Sequence, residues 1–130
     1  MKYLWIFGFL SIGLLQAQNL EKYLWKNRVI LLFEGNGHKS GYQRQLEVLQ
    51  SESKELLERD IVTVLPKNGE KALFLENLGL ENDFYGLVLL GKDGGIKLKE
   101  EFVVQPQIIF RLIDAMPMRK AEMRKKNRPN

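Results

Sequence analysis

The chain contains no cysteine. Disulfides, thiolate metal ligands and thiolate nucleophiles are excluded together, and with them thiol–disulfide exchange and thiol-dependent peroxide reduction. Lipid attachment at an N-terminal cysteine is excluded as well. Histidine is nearly absent: His38 is the one imidazole in 130 residues. No set of histidines and acids has zinc-ligand spacing. Ser40 and Ser51 have only His38 as a base, a weak candidate for a catalytic triad. Proline is scarce at four residues, and Pro66, Pro106 and Pro117 each fall where an element is expected to start or stop.

What is present begins with a leader. Lys2 is followed by the apolar run Tyr3 to Leu15, interrupted by Gly8, Ser11 and Gly13, and Leu15-Gln16-Ala17 ends in a small residue. This is the pattern of a secretory signal peptide over residues 1–17. The run falls short of the roughly 20 apolar residues that a membrane span requires, so cleavage is expected to leave no stable span. An uncleaved anchor is the alternative. Export to a periplasm or the extracellular medium follows as the expected localisation.

Residues 18–118 are enough for one domain with one core, and residues 119–130 form a basic tail. The tail holds six basic residues against Glu122, a local charge of +5, while residues 18–118 hold thirteen basic and fifteen acidic residues. A near-neutral body with a basic end argues against nucleic-acid binding, which spreads Lys and Arg over a face. The tail reads as a solvated end.

Periodicity then orders the elements. Leu20, Tyr23 and Leu24 recur at helical spacing, with Trp25 as the larger anchor beside them. Arg28 to Phe33 is an unbroken apolar strand, as a strand covered on both faces requires. Ser40 and Gln43 have capping-box spacing, which predicts a helix from about Gly41 to Arg59 with Leu46, Leu49, Leu56 and Leu57 buried. Ile61 to Leu65 is a second strand, and Glu70 to Leu78 a helix stopped by Gly79. Phe84 to Leu90 is a third strand, Asp93-Gly94 a hairpin turn, and Ile96 to Lys99 a half-exposed fourth strand. Pro106 opens a last helix with Ile108, Ile109, Leu112, Ile113 and Met116 inward, and Pro117 ends it. Strand-helix-strand-helix-strand-strand-helix is an α/β order. It predicts a thioredoxin-like three-layer sandwich around a four-stranded mixed sheet.

Five segments carry a resemblance: Leu20-x-x-Tyr23-x-Trp25-Lys26-Asn27-Arg28-Val29, Tyr42-x-x-Gln45-Leu46, Glu58-Arg59-Asp60, Gly91-Lys92-Asp93-Gly94-Gly95-x-Lys97, and Ile113 to Arg119 with Glu122-Met123. They resemble the domain of unknown function 4174 family, small exported thioredoxin-like proteins of bacteria. The resemblance spans the mature chain and implies fold and export. It assigns no catalytic residue. Active thioredoxins place a cis-proline before the third strand, and this chain has none there.

Three groups of residues are candidates for chemistry. The loop from Glu34 to Gly41 occupies the place where a thioredoxin keeps its reactive cysteine. There His38, Lys39 and Arg44 could favour a small anion at a helix N-terminus. Its glycines, Gly35, Gly37 and Gly41, miss the dinucleotide fingerprint by one position. Lys92 and Asp93 are expected near Arg28 or Arg59. Arg119 is expected to clamp Asp114 or Asp93, either as a staple or as part of a site shared with Lys92. Met116, Met118 and Met123 form a thioether cluster of the kind that favours Cu(I), though methionine also fills gaps in cores. The leading expectation is a binding or interaction module whose partner is a small anion or another exported protein, with no cofactor. The alternatives are a non-thiol enzyme using the charged residues and, third, copper handling.

Overall fold

The computed structural model describes residues 20–67 and 69–127. The signal peptide expected over residues 1–17 lies outside them, as do Asn68 in the expected 66–69 loop and the last three residues of the expected tail.

Four strands form one mixed sheet: β1 (Arg28–Phe33), β2 (Ile61–Val64), β3 (Gly86–Leu90) and β4 (Ile96–Glu100), in the order β2-β1-β3-β4. β1 runs parallel to β2, with Arg28 opposite Ile61, and antiparallel to β3, with Val29 opposite Leu90. β3 and β4 are antiparallel. Five helices lie wholly within the described residues: α1 (Lys39–Gln50), α2 (Ser53–Glu58), α3 (Lys71–Asn77), α4 (Pro106–Asp114) and α5 (Pro117–Lys126). Mixed α/β architecture around a four-stranded mixed sheet is therefore established.

The unbroken apolar character of β1 and β3 has a direct cause. Alternate side chains enter opposite cores. Ile30, Leu32, Leu87 and Leu89 pack with Leu49, Leu56, Ile109, Phe110 and Ile113 on one face. Val29, Leu31, Phe33, Val88 and Leu90 pack with Phe74 and Leu75 on the other. β4 lies at an edge and buries little, and its exposed Lys97, Lys99 and Glu100 oppose pairing with another chain. Gly86 has φ +136, and a Cβ there would collide with the Glu100 carbonyl, so the start of β3 needs glycine.

The punctuation is largely as expected. α3 ends at Gly79, where φ is +71 and the Leu80 N–H reaches the Leu75 carbonyl at 2.8 Å. The β3–β4 hairpin turns at Asp93-Gly94, with Gly94 at φ +86 and the Gly95 N–H donating to Asp93 Oδ1 at 3.0 Å.

Several expectations are corrected. The first helix starts at Lys39, with His38 at the cap position and no side-chain capping bond, so Ser40 and Gln43 form no capping box. The chain from 39 to 58 is two helices, because Ser51 turns its hydroxyl back onto the Val48 carbonyl at 2.7 Å and the helix restarts at Ser53. The restart turns Leu57 outward, where it is 75% exposed. Ile108 sits one position off the inward face of α4 and is exposed, and Trp25 projects into solvent at 67% exposure instead of anchoring the core. Pro117 opens α5 as its first residue. Arg119 to Lys126, expected as a solvated end, are helical and in contact with the body.

Candidate functional site

The charged residues singled out in the sequence fall at the two opposite ends of β1. At its N-terminal end, Arg28 opens the strand with its side chain 1% exposed and donates through both terminal nitrogens to Glu122 of α5, each at 3.3 Å. The same guanidinium donates to the Arg59 carbonyl at 2.9 Å. Lys92 leaves β3 beside it and donates to Glu122 at 2.5 Å and to Asp60 at 3.0 Å. Asp60 takes a left-handed conformation (φ 54) between α2 and β2, which aspartate tolerates.

A second half adjoins the first. Arg59 donates to Asp114 through Nε and Nη2, at 3.0 and 2.9 Å, and to Glu55 at 2.8 Å, while its guanidinium lies 4.3 Å from the Phe110 ring centre. Arg119, 5% exposed, reaches Asp114 at 3.4 Å, Glu58 at 3.5 Å and Glu122 at 3.7 Å. Lys126 closes the array on Glu58 at 2.5 Å. Five basic side chains face five carboxylates, and the array is neutral.

Asp93 joins none of these ion pairs among the described residues, but it lines a cavity together with Lys92 and Arg28, as expected for Lys92 and Asp93. It holds its own turn and pairs with Lys97 at 3.2 Å, so of the two partners expected for Arg119 only Asp114 meets it. The carboxylates respond to these surroundings. Burial pushes the Glu122 carboxyl up, but hydrogen bonds from Lys92 and Arg28 outweigh it and hold the group below the usual glutamate range. Arg59 lowers Asp114 in the same way. A carboxylate depressed in the folded state contributes stability that is complete above its unfolded value and is lost as pH falls through its folded value. Thermal stability is therefore expected to be flat from pH 7 to about 5 and to fall steeply below about pH 4. A melting temperature that held steady to pH 3 would contradict this coupling.

The C-terminal end of β1 is built differently. The ring of His38 stacks on Tyr85, with centres 3.5 Å apart and planes 8° off parallel. The Tyr85 hydroxyl donates to Glu101 at 2.6 Å, which raises its pKa. Tyr42 and Tyr85 each lie against Phe102. Lys39 and Arg44 are exposed and take part in no ion pair among the described residues. His38, at the cap position of α1, packs its ring against Tyr85. Buried Gln45, part of a resemblance motif but not foreseen as a tie, fastens α1 to the segment before α4. Its amide donates to the Val104 carbonyl at 2.9 Å and accepts from the Val104 N–H at 2.7 Å.

The methionines divide. Met116 and Met118 line a cavity of about 340 Å³ together with Arg28 and Lys92, while Met123 borders a separate surface depression with Lys120 and Arg124. Two thioethers beside three cations, Arg28, Lys92 and Lys97, make a poor setting for a copper ion. Among the described residues, no three His, Asp or Glu side chains gather in a way that could hold a metal ion, and no helix is long and apolar enough to cross a membrane.

Sequence reasoning located Lys92, Asp114 and Arg119 but did not assign roles to their partners Glu58, Asp60 and Glu122. The available signal was the acid three residues after Arg119, on the same helical face. No curated protein and no solved structure matches this chain. Residues 19–122 match the model of the domain of unknown function DUF4174, and the chain belongs to that family.

Proposed function

We propose that this protein is an exported, thioredoxin-like binding module that holds a ligand or partner without transforming it. The sheet order β2-β1-β3-β4, one parallel pair joined to an antiparallel hairpin, supports the thioredoxin-like arrangement, as do helices packed on both faces. The signal-like residues 1–17 support export. Binding is favoured over catalysis by a single observation: the basic residues that look like a reaction centre are closed onto carboxylates of the same fold. A general acid, base or electrostatic stabiliser has to face substrate with its proton or charge available. Arg28, Arg59, Lys92 and Arg119 spend theirs on α5 and its neighbours.

Native mass spectrometry of the protein taken from the exported fraction tests this reading. The expected spectrum shows a chain beginning at Gln18 and carrying a noncovalent small molecule or a stoichiometric partner. A bare, full-length chain retained in the cytoplasm would overturn both parts of the proposal.

A further inference from the structure

Between α3, the segment from Leu20 to Asn27 and the neighbouring ends of β1 and β3 lies a cavity of about 520 Å³. That size falls within the range of small-molecule sites. Its walls are apolar, formed by Tyr23, Val29, Leu73, Phe74, Leu78 and Leu90. Two carboxamides, Asn27 and Asn77, and one carboxylate, Glu21, supply the polar part of the lining, and among the described residues no Lys, Arg or His takes part. A buried carboxylate ligand would lack a counter-charge and would face Glu21, whereas a neutral hydroxyl or amide head could bond to a carboxamide in either sense.

Two further observations point to the same place. Trp25 holds φ +64, a conformation a bulky residue rarely adopts, and its N–H is tied to the Lys92 carbonyl at 2.7 Å. Strain of this kind persists where the surroundings over-determine it, and it clusters at binding and switch sites. Leu24, the residue before Trp25, lines the cavity, and Trp25 itself is exposed. In addition, Leu20, Tyr23, Asn27 and Val29 from one resemblance motif and Gly91 and Gly94 from another line this one cavity.

We infer that the cavity binds a small, uncharged, predominantly apolar molecule with a single hydrogen-bonding head, of the class of a medium-chain alcohol. This rests on the binding-module reading and names its ligand class. The secreted chain retains Trp25 as its one tryptophan, because Trp5 lies in the leader. Binding of the neutral dye N-phenyl-1-naphthylamine, followed by energy transfer from Trp25 and displaced by 1-decanol or by decanoate at pH 8, tests the inference.

Saturable dye binding is expected, with decanol displacing it at least tenfold more strongly than decanoate. Leu73→Phe, which fills part of the cavity without adding a second tryptophan, should weaken dye binding at least tenfold while leaving far-ultraviolet circular dichroism unchanged. Should that variant fail to fold, exposed Glu21→Gln keeps the test open, since it should improve decanoate several-fold without affecting decanol. No saturable dye binding, equal displacement by both ligands, or a Glu21→Gln chain with unchanged selectivity would overturn the inference. A ligand retained in native mass spectra and undisturbed by the cavity variants would overturn it while leaving the binding-module reading in place.

Discussion

Glu122→Ala is expected to destabilise the protein by about 3 kcal/mol, the low end for breaking a buried ion pair. Its carboxylate is 23% exposed, but the guanidinium it serves is 1% exposed. Removing the acid leaves Arg28 with the Arg59 carbonyl as its one partner among the described residues and takes the shorter of two bonds from Lys92. At 4 °C or more per kcal/mol for a domain of this size, the melting temperature should drop by roughly 12 °C. Arg119→Ala should cost less, because Asp114 and Glu58 are 36% and 40% exposed and recover water when their cation is removed. Equal losses for the two variants would show that burial of the surviving partner does not govern the array.

Gln45→Leu is the second large effect, again about 3 kcal/mol. The substitution keeps the volume but strips both hydrogen bonds from Val104, whose N–H and C=O lie at a residue 6% exposed. Each orphaned buried group costs about 1–3 kcal/mol. Urea denaturation supplies the number, and hydrogen exchange at the Val104 amide locates it. A Gln45→Leu variant as stable as the parent would mean that water replaces the side chain at that position.

How much of this was legible in the sequence depends on the range over which each feature is set. Strands β1 and β3 are legible because both of their faces are buried, which leaves unbroken apolar runs. Gly79 and Asp93-Gly94 are legible because backbone conformation dictates the residue locally. The break at Ser51 is not, since Ser is compatible with a helix interior and only its chosen bond to Val48 marks the stop. Pro117 is ambiguous by nature, because proline suits both the residue after one helix and the first residue of the next. Leu57 and Ile108 show the remaining limit: a helical stripe identifies a face only to within a residue either side.

The charged array was half legible for the same reason. Lys92, Asp114 and Arg119 stand out in motifs, whereas the Arg28–Glu122 pair joins residues 94 positions apart and leaves no local pattern. In three dimensions these charges tie α5 to the sheet and its neighbours.

A double-mutant cycle at Arg28 and Glu122 tests that attachment most directly, with Arg28→Met, Glu122→Leu and the double variant compared by urea denaturation. If the pair is a buried clamp, each single variant is strongly destabilised and the double variant recovers part of the loss, giving a coupling of at least about 1.5 kcal/mol. Coupling within about 0.5 kcal/mol of zero, with single losses that simply add, would contradict the clamp and return Arg28 and Glu122 to the pool of charges available to a ligand.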